Sequence, residues 1–208
     1  MNNNVTTFFI VRHGETVGNV EKIVQGQSDS LLTANGERQA YELARTLRTV
    51  CFDLAYSSDL LRAQRTAELL VAEKKLPVTV VADLREHSMG QWEGQSQEYF
   101  DAVNRDHLEK YVAVSEQEKW DQKVTNDVES DAEVKSRFVR FLRRTALDHA
   151  GKTILVVTHG GVMRCLLVHL GWGTHKELPI GCVSHLEWMC VRVQGDDFVL
   201  EDVHGVSR

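Results

Sequence analysis

Apolar runs of strand length alternate along this chain with stretches in which apolar residues return every three or four positions, the rhythm of buried strands interleaved with amphipathic helices. Thr6 to Val11 reads as a fully buried first strand, followed by a polar loop rich in turn residues through Gln25-Gly26-Gln27-Ser28-Asp29. Thr33 is a natural N-cap for a helix that places Ala40, Leu43, Ala44 and Leu47 on one face. Asp53 to Ser57 is a short strand, and Ser58 or Asp59 can cap the next helix, which carries Ala63, Ala67 and Leu70 inward and ends before Pro77. A third strand is expected over Val78 to Leu84. Between 94 and 128 the rhythm weakens into polar sequence with scattered aromatics, read as an insertion with helical pieces.

Beyond that insertion a clear amphipathic helix puts Val134, Phe138, Phe141 and Leu142 on one face and Arg137, Arg140 and Arg144 on another, the arginines reading as a solvated face. Strand Thr153 to Thr158 leads into a helix over Val162 to Leu170, and Ser184 to Val193 with Phe198 to Val203 form a terminal hairpin. Strands alternating with helices predict an α/β fold whose mainly parallel sheet is covered on both faces. In such sheets ligands bind beyond the carboxyl ends of the strands. That rule gathers His13, Ser57 to Arg62, Leu84 to Glu86, and His159 into one pocket.

The length of 208 residues suits a single domain over 1–208, with the insertion on its substrate side. No apolar run reaches the roughly 18 residues needed to span a bilayer, and Met1-Asn2-Asn3-Asn4 has no basic start of a secretory signal, so a cytoplasmic protein is expected. Asn4-Val5-Thr6 then matches a glycosylation acceptor only formally. Cys51, Cys165, Cys182 and Cys190 show no zinc spacing and read as reduced thiols. A net charge of −6 disfavours nucleic acid as a partner yet leaves room for a locally positive pocket and a small phosphorylated substrate.

Two apolar runs break into His-Gly: Val11-Arg12-His13-Gly14-Glu15-Thr16 and Val156-Val157-Thr158-His159-Gly160-Gly161. Two imidazoles delivered to one sheet edge, with Arg12 beside the first, can hold a phosphoryl group between a nucleophile and cationic donors. His13 can attack as a neutral imidazole if its other nitrogen is held by a hydrogen bond. Arg12, Arg62 and His159 can donate to the phosphoryl oxygens, with Asn19 as a neutral donor. Glu86 is the natural proton donor, provided that the site or the substrate raises its pKa from about 4.3. Gly151-Lys152-Thr153 fails as a phosphate-binding loop because Ala146 stands where glycine is needed. A metal site on His13, Glu15, His87 and His159 lacks any close ligand spacing, and no metal or cofactor is expected.

The R-H-G-E-T segment with Asn19, the Gln25-Gly26 loop, L-T-x-x-G-x-x-Q-A from Leu32 to Ala40, Ser57 to Ala63, and the terminal T-H-G-G resemble the histidine phosphatase superfamily, which includes cofactor-dependent phosphoglycerate mutases and fructose-2,6-bisphosphatases. The resemblance implies a phosphoglycerate mutase-like three-layer sandwich. It makes His13 the phosphorylated nucleophile, Glu86 (over nearby Glu93) the acid and base, and His159 their catalytic partner. Arg12, Asn19, Arg62 and Gly160 become phosphate-binding residues, with Gln25 and Gly26 on the substrate side. Glu86 to Gly94 is similar to the E-x-x-x-G-x-x-E-G form of the phosphatases, and the paired-arginine segment of the glycolytic mutases is absent between Gly94 and Asn126. A phosphomonoesterase of small metabolites is therefore expected ahead of a mutase or a non-catalytic phospho-ligand module. Glu129-Ser130 is similar to the superfamily's G-E-S, with Val128 replacing the glycine. Arg105, Lys110, Lys119 and Lys123 are candidates to meet a second anionic group of the substrate.

Overall fold

The computed structural model of the chain describes residues 5–207, so the formal acceptor Asn4 and the opening Met1 to Asn4 lie outside the described residues. Six strands form one sheet in the order β3-β2-β4-β1-β5-β6: β1 (Thr6–Arg12), β2 (Leu54–Ser57), β3 (Val78–Val80), β4 (Thr153–Thr158), β5 (Val183–Gln194) and β6 (Asp197–Val206). The first four run parallel, and β5 and β6 close one edge as an antiparallel hairpin.

The alternation of side chains along the two central strands builds both covering layers. Phe8 and Ile10 of β1 with Ile154 and Val156 of β4 face a cluster completed by Phe138 and Leu142 of α7 (Asp131–Asp148) and Met163 and Leu166 of α8 (Gly160–His169). Val11, Leu155 and Val157 face the opposite cluster, with Ala40 and Leu43 of α2 (Ala34–Thr46) and Ala63, Ala67 and Leu70 of α3 (Leu61–Val71). Small alanines at the second contact let α2 and α3 lie close on the sheet. The expected three-layer α/β sandwich is the architecture found.

Several expected boundaries move for identifiable reasons. A four-residue helix, α1 (Val17–Val20), lies inside the first loop because Thr16 and Asn19 close a capping box around it. The third strand ends at Val80, and a 3-10 turn over Ala82–Leu84 drops Leu84, fully buried, into the core. Helix α3 is capped by neither Ser58 nor Asp59: Leu60 is its N-cap, Asp29 of the distant loop accepts the Leu61 N–H at 2.9 Å, and Asp59 pairs with Arg85 at 2.7 Å. Helix α8 begins two residues earlier than expected, directly after His159. The segment after Gly94 holds three helices, α4 (Gln97–Val103), α5 (Arg105–Ala113) and α6 (Glu116–Lys119). No helix among the described residues is long and apolar enough to cross a membrane.

Arg137 overturns the reading of the α7 arginines as one solvated face. Its guanidinium, only 12% exposed, donates to the carbonyls of Asp83, Arg85 and Glu86 and pairs with Glu129. Those carbonyls belong to irregular chain with no strand partner, and a fork of five donors satisfies several at once. Arg140 and Arg144 lie on the expected solvated face, in exposed pairs with Asp83 and Asp148.

Candidate active site

The parallel register sets the site. Arg12 lies opposite Thr158 across the β1–β4 ladder, so the next residues of the two strands, His13 and His159, leave the sheet side by side. Their ring centroids stand 5.1 Å apart, and both side chains are buried. Glycine is required after His13 because a Cβ on Gly14 would stand 2.7 Å from the Gly36 carbonyl oxygen. At Gly160 a Cβ would crowd Arg12 Nε at 3.2 Å, so the bare backbone lets that guanidinium lie across the start of α8.

His13 Nδ1 lies 2.8 Å from the Gly14 carbonyl oxygen, which can only accept. The proton therefore sits on Nδ1, and Nε2 keeps its lone pair. Burial first, and then the charges of Arg62 and Arg12, hold the His13 imidazole well below its ordinary 6.5. The same burial, with Arg62 and His13, does this at His159. Both rings are neutral at physiological pH.

The pair stands among polar groups without partners. Arg12 Nε, Arg62 Nε, both ring nitrogens of His159 and Ser57 Oγ are buried and make no hydrogen bond. An unpaired buried polar group costs about 1–3 kcal/mol, and two guanidinium N–H groups beside an imidazole N–H are donors whose natural partner is an anionic oxygen. Arg62 is aimed by its other nitrogens, which donate to Gly26 O at 2.7 Å and Ser28 O at 2.8 Å. Burial brings its pKa down to about 10, which leaves it charged. Arg12 is aimed by Val183 O and His185 Nε2.

The remaining expected residues support this cluster in different ways. Asn19 Oδ1 accepts from Thr16 N at 3.1 Å and lies 3.0 Å from His185 Nε2, whose lone pair already receives the Arg12 guanidinium. Gly26 adopts φ +52°, and a Cβ there would stand 2.4 Å from Glu93 Oε1. Gln25 accepts from Thr16 Oγ1 at 2.9 Å and braces α1. Glu93 accepts from Gln27 N and Met89 N, fastening the loop that carries Gly26.

Glu86 faces the cluster as a carboxylate. Its Oε2 accepts from Gly161 N in the first turn of α8 at 3.0 Å, and its Oε1 from His87 N and Nδ1 at 2.9 Å. Burial would raise its pKa, but the hydrogen bonds and charge of His87 and the Gly161 amide outweigh it and hold Glu86 at about 2. The free protein thus lowers this pKa instead of raising it as a proton donor requires, which leaves the substrate's own charge as the source of any increase.

His185 has no signal in the sequence beyond a place in the hairpin. A bulge between Val183 and Trp188, with Leu186 held at φ +58°, turns it toward His13, and the two ring centroids are 6.0 Å apart. Burial, then Arg12, holds it at about 4. Glu129 accepts from Ser88 N and Arg137 and ties the Glu86 segment to α7, while Val128 fills a small cluster with Val24, Trp92 and Phe100 in place of a glycine. Lys119, buried, is spent on Glu116 at 2.8 Å and Lys123 on Glu133. Neither is available to a second substrate anion; Arg105 and Lys110 remain exposed.

The proposed ligand set His13, Glu15, His87 and His159 does not come together as a metal site. His87, Asp131 and Cys165 do approach one another. Their geometry is that of a hydrogen-bonded cluster: His87 Nε2 is 2.9 Å from Asp131 Oδ1, Arg164 sits 2.7 Å from the other Asp131 oxygen, and burial pushes the Cys165 thiol up. A guanidinium already on the carboxylate and a protonated thiol both oppose a cation there.

Comparison with known proteins agrees with the geometry. Residues 8–204 match the model of the histidine phosphatase superfamily (branch 1). The adenosylcobalamin/alpha-ribazole phosphatase of Escherichia coli K12 is 34% identical over 186 residues, covering 86% of this chain and 88% of that protein. A probable phosphoglycerate mutase of Yersinia enterocolitica is 36% identical over 179 residues, covering 81% and 77%. The structure of Bacillus stearothermophilus YhfR superposes with a TM-score of 0.82 at 28% identity over 98% of each chain. A family match of this extent, on a site of two facing histidines ringed by unpaired cationic donors, places the chain in the histidine phosphatase superfamily.

Proposed function

We propose that this protein hydrolyses small phosphomonoesters through a phosphohistidine at His13. The observation that carries the proposal is the Nδ1–Gly14 hydrogen bond of 2.8 Å, which leaves Nε2 as a free nucleophile amid the unpaired donors of Arg12, Arg62 and His159. The phosphoryl oxygens take those donors together with Asn19 Nδ2 and the backbone at Gly160. As Nε2 bonds to phosphorus, the ester oxygen leaves with the bonding pair and takes a proton from Glu86. Water then attacks phosphorus, gives its proton back to Glu86, and releases His13 and phosphate. A dianion arriving beside Glu86 raises its pKa, the direction an acid needs.

No metal or cofactor enters this sequence. The four cysteines are free thiols, in keeping with a reducing, cytoplasmic setting. One continuous six-stranded sheet supports reading 1–208 as one domain, with 94–128 as its substrate-side insertion. Hydrolysis is preferred to mutase chemistry because Glu86 to Gly94 follows the phosphatase form. A phosphate-release screen over sugar phosphates, phosphoglycerates and phosphoamino acids tests the reading. Rapid isomerisation of 3-phosphoglycerate with a bisphosphoglycerate primer, without phosphate release, contradicts it.

A further inference from the structure

Beyond the residues expected from the sequence, the structure contains a partly buried chain of ionisable groups that starts at Glu86 and runs away from the two facing histidines. His87 lies between two carboxylates, its Nδ1 2.9 Å from Glu86 Oε1 and its Nε2 2.9 Å from Asp131 Oδ1. Neither carboxylate oxygen can donate when ionised, so both contacts are satisfied at once only when both imidazole nitrogens carry protons. Asp131, the first residue of α7, is fixed by Arg164 Nη1 at 2.7 Å, and its Oδ2 lies 3.3 Å from His175 Nε2. Arg164 is itself anchored on Leu178 O and Tyr111 OH, and His175 on Glu116, which also holds Lys119. The Cys165 thiol, 3.9 Å from His87 Nε2, completes the surroundings.

We propose that His87 is a positioning residue that stores the leaving-group proton and delivers it through Glu86. The inference rests on the assignment of Glu86 as the acid in the proposed function. Glu86 and Asp131 are negative, and His87 and Arg164 are positive, so the group is balanced while the phosphate pocket is free. A phosphoryl dianion beside Glu86 upsets that balance. Transfer of the Nδ1 proton to the Glu86 carboxylate neutralises the nearer negative charge and leaves a neutral His87 whose Nε2–H still bonds Asp131. A half-turn of the carboxyl, a soft two-fold torsion, presents the proton to the ester oxygen. That oxygen takes it as the P–O bond breaks and the P–N bond to His13 forms. In the second half, the proton of the attacking water returns by the same route to His87, so the cycle closes without another reagent. Burial would lower the His87 pKa, but Asp131, Cys165 and Glu86 outweigh it and hold it well above 6.5, while the Glu86 carboxyl is kept at about 2. The available proton is therefore on the histidine.

The test compares wild type, His87→Gln and Glu86→Gln on a substrate with a poor leaving group, glycerol 1-phosphate, and one with a good leaving group, p-nitrophenyl phosphate, across pH. His87→Gln keeps a hydrogen-bond donor toward Glu86 and removes the titrating proton. It is expected to lower kcat/KM about 10²-fold on glycerol 1-phosphate at neutral pH, to change p-nitrophenyl phosphate less than about threefold, and to move the alkaline limb to lower pH. Equal losses on both substrates with an unmoved limb overturn the inference. His87→Gln at wild-type rates beside a crippled Glu86→Gln also overturns it, and leaves the acid assignment standing. A Glu86→Gln variant at full rate on both substrates removes the acid assignment and the inference together. Nitrogen NMR of wild-type His87 reads the stored proton without a substitution: both ring nitrogens protonated at about pH 7 is the expected state, and a neutral ring contradicts it.

Discussion

The Gly14 carbonyl accepts the Nδ1 proton of its neighbour His13 at 2.8 Å, so the residue that turns the chain away from the sheet also fixes which nitrogen of the imidazole keeps its lone pair. With both rings of the His13–His159 pair neutral, the pocket presents a nucleophile and fixed donors together.

Loss of the nucleophile should cost more than loss of any helper. His13→Ala is expected to abolish turnover on every substrate. Glu86→Gln should lose about 10²- to 10⁴-fold on poor leaving groups, and Arg62→Ala on the order of 10²- to 10³-fold. Steady-state kinetics with melting curves for each variant checks the ranking, and a His13→Ala enzyme more active than Glu86→Gln reverses the roles.

Gly161→Ala should damage the acid without unfolding the protein. The new Cβ would stand 2.5 Å from Glu86 Oε1 and 2.7 Å from His87 Nδ1, while alanine is otherwise favourable in a helix by up to about 1 kcal/mol. The expected result is a drop of about 10²-fold in kcat on alkyl phosphates with an unchanged or slightly higher Tm. An unimpaired kcat would mean that Glu86 has room to move aside at no cost.

Arg137→Ala should unfold what Arg144→Ala leaves intact. The first removes one partner of a mostly buried ion pair with Glu129 and takes a donor from the carbonyls of Asp83 and Arg85, Glu86 O keeping Gln27 Nε2, at a cost of about 3 kcal/mol, or roughly 6–12 °C in Tm. The second breaks an exposed pair in which Arg144 is 84% exposed, within about 0.5 kcal/mol of neutral. Thermal denaturation of the two variants is the check.

Much of this was legible in the sequence. The strand runs and the two His-Gly breaks determine a parallel sheet with both imidazoles at one end, since parallel register brings matching strand ends together. Arg12 and Arg62 could be placed by the same rule, because one ends a strand and the other starts the helix that follows one, whereas Glu86 lies six residues past the end of β3, beyond a 3-10 turn. Arg137 could not, because a helical arginine on a polar face looks the same whether it meets water or three backbone carbonyls. His185 depends on a bulge and on the left-handed Leu186, a conformation no local preference foretells. The His87–Asp131–Arg164 chain joins three segments whose meeting is a tertiary fact. The depressed pKa of Glu86 depends on that chain and on the Gly161 amide, so it too is a property of the tertiary fold.

Acid should destabilise the fold through the two neutral histidines. Burial and the neighbouring arginines depress their folded-state pKa, so the unfolded chain binds protons first as pH falls through about 6.5, and stability declines from there downward. His87, raised in the fold, acts in the opposite sense: its contribution is complete below about 6.5 and is lost as pH rises through its folded value. Melting temperatures between about pH 7 and 5 should therefore fall, and His13→Asn should flatten the fall; an unchanged slope contradicts a neutral buried His13.

Chelation should leave turnover unchanged, because each step of the proposed mechanism uses only protein groups and water. Assays with and without a strong chelator check this, and activity that vanished and returned with zinc would require a metal at the site.

The proposed mechanism requires a covalent bond from His13 Nε2 to phosphorus. Rapid acid-free quenching of the enzyme during turnover of a phosphorus-labelled substrate, followed by peptide mapping, tests it directly. The predicted result is an acid-labile, base-stable phosphoryl group on the peptide that carries His13, absent from His13→Ala and longer-lived in Glu86→Gln. Label on His159 or His185, or steady hydrolysis with no labelled histidine in the quenched enzyme, would contradict the account.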